Sequence, residues 1–175
     1  MKATGVVRRI DELGRIVIPK EIRRTLKIKN GTPLEIYSGD NGELLLKKYS
    51  PLLEISDFAA EIADSIFRAT NLTALVTNME KVVAASGANK SVFLNKQIDS
   101  VIEKHINKRV CCICTEVANS MLFNQTAVPN FAVCPVASAG DVFGAIILFD
   151  GSKSVTENQL IVGQAFADFL GKQVG

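Results

Sequence analysis

Thr4-Gly5-Val6-Val7-Arg8-Arg9-Ile10-Asp11-Glu12-Leu13-Gly14-Arg15-Ile16-Val17-Ile18-Pro19 decides how the first third of this chain folds. Two β-branched runs, 5–11 and 15–18, flank Leu13-Gly14 and read as strand, turn, strand. Pro19 suits the first position of a helix, because its missing N–H would have no intrahelical partner there. Helical spacing then runs over 20–27. Beyond Asn30-Gly31, Leu34-Glu35-Ile36-Tyr37-Ser38 alternates with period two, Asn41-Gly42 signals a two-residue hairpin, and 43–48 supplies the return strand. The expected unit is β-β-α-β-β.

Within the expected helix, Lys20, Arg23, Arg24 and Lys27 fall at i, i+3, i+4 and i+7, which gathers the cations on one face while Ile22 and Leu26 point the other way. Like charges at this spacing weaken an isolated helix, so a polyanionic partner is a physical reason for keeping them. Residues 1–50 hold 11 Lys+Arg against 6 Asp+Glu, a net +5, whereas 51–175 hold 9 against 12, a net −3. Charge confined to one end marks a nucleic-acid module joined to a mildly acidic domain. Fifty residues with few aliphatic side chains and four short strands bury too little to be secure alone, and dimerisation remedies both the small core and the open strand edges.

These residues, with Glu21-Ile22-Arg23-Arg24-Thr25-Leu26, Leu34-Glu35-Ile36 and Leu46-Lys47-Lys48-Tyr49, resemble the AbrB family of swapped-hairpin transition-state regulators. The resemblance covers essentially all of residues 1–50. It implies an intertwined, domain-swapped β-barrel dimer that binds double-stranded DNA through Arg8, Arg15, Arg23 and Arg24, with Lys2 and Arg9 as further contacts. It also implies a regulator, activating or repressing, of sporulation genes.

After Ser50-Pro51, Leu52, Ile55, Ala59, Ile62, Ile66 and Ala69 recur with spacings of 3 and 4. Such a seam fits a helix over 51–70 that connects and dimerises, and it fits equally a helix lying on its own domain's sheet. The remainder reads as α/β: strands at 72–77 and 81–85, a helix over 95–109, strands at 130–137 and 142–149, and a last helix begun by Thr156 with Gln159 three residues on. An antiparallel sheet with flanking helices resembles a GAF domain, a small-molecule sensor fold. The expected organisation is therefore a DNA-binding domain at 1–50 and a GAF-like sensor domain at 51–175, self-associating as a dimer or tetramer.

The longest apolar run, 142–149, is far short of the ~20 residues that span a bilayer. Arg8 and Arg9 interrupt any signal-peptide core. No membrane association and a cytoplasmic location follow as expectations, and Cys111, Cys112, Cys114 and Cys134 are expected as thiols. Cys111 and Cys114 have C-x-x-C spacing, with only Cys134 and the single His105 to complete a site, so no metal or cofactor is expected and His105 reads as solvated. Ser86, Asn89 and Lys90 lie in a polar, glycine-containing loop suited to an unidentified small ligand. With one histidine, no P-loop and no G-x-S-x-G, catalysis has little to work with. Besides a ligand-modulated regulator, an antitoxin-type protein-interaction module fits the first fifty residues.

Overall fold

Leu34–Ser38 (β1) and Leu44–Lys48 (β2) pair antiparallel, from Leu34 opposite Lys48 to Ser38 opposite Leu44. The computed structural model describes residues 5–50, 52, 55–115, 121–122 and 126–174, and its contacts separate residues 1–49 from 50–175. The β1–β2 turn is a three-residue loop rather than the expected two-residue one. Gly39 and Glu43 close it, with the Gly39 N–H donating to the Glu43 carbonyl at 2.8 Å, and Gly42 supplies the left-handed residue at φ 72°.

The helix α1 spans Lys20–Thr25 and stops two residues before the expected end. Lys27 sits in the left-handed region at φ 52°, the Ile28 N–H donates to the Arg23 carbonyl at 2.7 Å, and the Lys27 N–H donates to the Arg24 carbonyl at 3.2 Å. These paired bonds form a Schellman motif, which turns the chain out of the helix. Lys20, Arg23 and Arg24 remain on the helix; Lys27 does not. The segments 5–11 and 15–18 form no ladder, although a turn over 12–14 joins them as expected. Among the described residues of 5–49 none is buried.

Residues 50–175 are built differently. Their sheet runs β4-β3-β9-β8-β5, all antiparallel, from Val82–Ser86 (β4), Thr73–Asn78 (β3), Asp141–Phe149 (β9), Phe131–Ser138 (β8) and Cys112–Cys114 (β5). A short separate pair joins Met121–Leu122 (β6) and Thr126–Ala127 (β7). Period-two alternation sorts each strand's side chains. Ala74, Val76, Cys134, Val136, Ile146 and Leu148 face the long helices Ser56–Thr70 (α2) and Glu157–Val174 (α5). Leu75, Val133, Ala145 and Ile147 face the short helices Lys90–Phe93 (α3) and Ser100–Asn107 (α4). Both faces are covered, which is why the strands read as nearly continuous apolar runs.

In α2 the seam residues Ala59, Ile62 and Ile66 are buried in this unit's own core, the second of the two arrangements its spacing allowed. The helix expected over 95–109 begins only at Ser100. Asp99 caps it by accepting from the Val101 and Ile102 N–H groups at 3.0 and 2.9 Å, while Asn95 takes φ 64° and Lys81 bridges to Gln97 ahead of it. α5 starts as its sequence indicated, with the Thr156 N–H donating to Gln159 Oε1 at 2.9 Å. Its apolar residues divide, however. Ala167 and Leu170 are buried, and Ile161 and Phe169 are exposed.

Gly144 marks the tightest approach in the sheet, since a Cβ there would meet the Thr77 carbonyl oxygen at 1.8 Å. Gly144→Ala is expected to cost about 3 kcal/mol in chemical denaturation, whereas Gly151→Ala, with nothing within 4 Å of its Cβ, stays within about 0.5 kcal/mol of the parent.

Candidate nucleic-acid interface

Asp11 organises the 12–14 turn. Its Oδ1 accepts from the Leu13 N–H at 3.0 Å and the Arg15 N–H at 2.8 Å, and its Oδ2 accepts from Arg15 Nε at 2.8 Å. The Arg15 N–H, then the Arg15 guanidinium, hold the Asp11 carboxyl below its ordinary range. Arg15 is therefore presented from a fixed turn, with its side chain 70% exposed. Arg8 and Arg9 are exposed on the arm before it, and Arg8 Nη1 donates to the Val7 carbonyl at 3.2 Å.

On α1, Arg24 is exposed and Arg23 half-buried. Arg23 Nη1 donates to Asn30 Oδ1 at 3.0 Å, and its Nε is shielded from solvent without an acceptor among the described residues. The Asn30 tether fixes the guanidinium beside the helix end and limits the side-chain entropy lost when it meets an anion. Lys2 lies outside the described residues. The structure thus carries all five of the expected arginines on an arm, a turn and a short helix, all within residues 1–49 and all but Arg23 open to solvent.

Beside these cations lies an apolar groove of about 460 Å³, lined by Val6, Val7, Ile16, Val17, Ile22 and Leu46 among others. Val7 is 86% exposed and Val17 71%. Soluble chains rarely leave so many aliphatic side chains of one small unit uncovered. The amphipathic helix signalled this in sequence only on its inner side; that Ile16, Val17 and Leu46 share one groove became visible with the fold.

The remaining candidates lie in the second unit. Ser86 is buried with its Oγ donating to Asp64 Oδ1 at 3.2 Å, and Asn89 and Lys90 are exposed at the start of α3. Ser86 is thereby tied to α2. His105, expected as solvated, is half-buried against Phe131 with ring centroids 6.4 Å apart. Cys111 and Cys134 share the sheet face under the long helices, where the hydrogen bond that the Cys134 thiol donates to Cys111, and then burial, push the Cys134 thiol up.

Residues 54–175 match the family model of stage V sporulation protein T C-terminal, transcription factor, and residues 7–53 match that of antidote-toxin recognition MazE, bacterial antitoxin. The chain is 39% identical over 176 residues to stage V sporulation protein T of Bacillus subtilis (strain 168), covering 99% of both chains. It is 49% identical over 69 residues to the transition state regulatory protein AbrB of the same organism, covering 36% of this chain and 71% of that protein. The GAF domain from Acinetobacter phosphoenolpyruvate-protein phosphotransferase superposes with a TM-score of 0.58 at 9% identity, over 73% of this chain and 84% of that one. The last likeness establishes the GAF fold of the sheet and its flanking helices.

Asp11 has a folded-state pKa below 3.8, so its contribution to the turn is present above that value and disappears as pH falls through the folded pKa. An NMR titration should place its midpoint below 3.8, and Arg15→Ala should raise it only partway, because the backbone N–H donors remain. A midpoint at or above 3.8 in the parent contradicts the turn geometry.

Proposed function

The chain belongs to the stage V sporulation protein T family of transcription factors, regulators of sporulation and transition-state gene expression, and on that premise we propose that its first fifty residues bind double-stranded DNA as an intertwined dimer. The observation that carries this is the apolar groove flanked by exposed arginines in a unit without a single buried residue among those described. A second copy inserting its own 5–11 and 15–18 segments covers the groove and closes the unpaired edges. Two-fold symmetry then presents Arg8, Arg15, Arg23 and Arg24 twice to successive stretches of duplex, with Lys2 and Arg9 as flanking phosphate contacts.

The GAF unit takes the role of a sensor, in which a small ligand shifts how the paired DNA-binding units are presented. α2 follows β2 closely in the chain and is the element through which such a shift passes. This coupling fails if no small molecule from cell extract alters operator affinity and if deleting residues 51–175 leaves site selectivity untouched. The protein works in the cytoplasm and without catalysis. The MazE-type match over 7–53 favours a second reading, an antitoxin that wraps a toxin partner. A C-terminal half folded on a five-stranded sheet speaks against it, since a wrapping segment is disordered until bound. Co-purification of a small unrelated protein would restore it.

The GAF units pair in turn, joining two DNA-binding dimers into a tetramer. Ile161 is 61% exposed and Phe169 46%, with Ala165 exposed between them at helical spacing, so α5 presents an apolar stripe to solvent. Phe58 of α2 stacks beside it at 5.9 Å from Phe169. Phe169→Glu is expected to halve the sedimenting mass from tetramer to dimer; an unchanged mass removes this face from the assembly.

DNA affinity measured by fluorescence anisotropy against salt should fall steeply for the parent. Arg24→Ala, which removes one phosphate contact per chain, should make the logarithmic slope shallower by about 2 per dimer. A variant indistinguishable from the parent excludes α1 from the interface.

A further inference from the structure

Cys112 and Cys114 occupy alternate positions of β5, so both side chains point to the sheet face covered by α4, while Cys111 packs on the opposite face with Cys134. The chain leaves α4 through Arg109 at φ 57°, and this reversal lays β5 beside the last turn of the helix, where His105 projects. Cys112 Sγ lies 3.8 Å from Cys114 Sγ and 3.5 Å from His105 Nδ1. The ligand atoms of all three residues lie within 4.8 Å of one another. Cys114 is buried, and the other two are half-buried.

The 3.8 and 3.5 Å separations match two edges of a coordination tetrahedron. With metal–sulfur bonds of about 2.3 Å and metal–nitrogen bonds of about 2.0–2.1 Å, tetrahedral angles set two sulfurs about 3.8 Å apart and a sulfur and a nitrogen about 3.5 Å apart. The same lengths suit thiol hydrogen bonds, which hold the side chains at a spacing that a metal ion also accepts. We propose that His105, Cys112 and Cys114 form a binding site for a borderline-soft divalent cation of the zinc class, with the fourth position left to water or a small exogenous donor. Two thiolates balance the cation's charge, so the half-buried site carries no net charge to desolvate. Three protein ligands and an open position are the pattern of a site that exchanges its fourth ligand rather than one that only staples the fold. C-x-x-C spacing points at Cys111 and Cys114, but the sheet turns those two to opposite faces. The site stands whether or not a ligand tunes DNA binding.

The full-length protein, reduced and stripped with chelator, is titrated with Co²⁺. One equivalent per chain should bind, with thiolate-to-cobalt charge-transfer absorption, the intense visible bands of a tetrahedral centre, and displacement by Zn²⁺. Binding should release about two protons, because both thiols must ionise. Cys112→Ser and His105→Gln, checked for folding by circular dichroism, should each weaken binding by roughly 100-fold or more, while Cys134→Ser binds as the parent does. His105→Gln keeps the test decisive if a cysteine variant misfolds. Absence of stoichiometric thiolate-coordinated cobalt overturns the proposal. So does loss of binding in Cys134→Ser with retention in Cys112→Ser, or oxidation of Cys112 and Cys114 to a disulfide as the only change the metal produces.

Discussion

A run of aliphatic side chains that one chain cannot cover governs the first unit. Val6, Val7, Ile10, Ile16, Val17 and Leu46 are all exposed, and none of the described residues 5–49 reaches the interior of anything. Burying one such side chain stabilises by about 1.5–3 kcal/mol. The arm, the 12–14 turn and the β1–β2 hairpin leave this gain unrealised within one chain, and the proposed intertwined dimer would supply it. The second unit answers the same demand internally, with helices on both faces of its sheet.

This division places the charges. In the first unit Val6, Val7, Ile16, Val17 and Leu46 line the groove with Arg8 among them, and Arg15 and Arg24 stand on a turn fixed by Asp11 and a helix closed by the Schellman motif. The net +5 of residues 1–50 against −3 for the rest keeps the attraction for a polyanion on the unit built to grip it. A second copy doubles the array without adding a new element.

Much of this was legible in the residues, and the failures have physical causes. Gly31 and Gly42 mark turns of the first unit, Pro19 stands one residue before the helix as its N-cap rather than at its first position, and the apolar run 142–149 is a core strand. The segments 5–11 and 15–18 read as strands from their β-branched composition, but a strand exists only when paired, and within this chain the two segments pair with no strand. The helix read over 95–109 begins later because Asp99 caps it through its bonds to the Val101 and Ile102 N–H groups, a role its position in the sequence does not single out. Of the interface, the arginine positions could be read directly, whereas the Asn30 tether of Arg23 could not, since it depends on the turn after α1. The exchange of C-x-x-C for Cys112, Cys114 and His105 likewise needed the sheet, because which cysteines share a face is set by where β5 begins.

The central claim is that the first unit's core is made by two chains. Isotope-filtered NMR on full-length protein mixed from ¹³C-methyl-labelled and unlabelled chains tests it most directly. The account predicts interchain NOEs from the methyls of Val7, Ile16 and Val17 to Leu44–Leu46 of the other copy. Methyls that show only contacts within their own chain would contradict it.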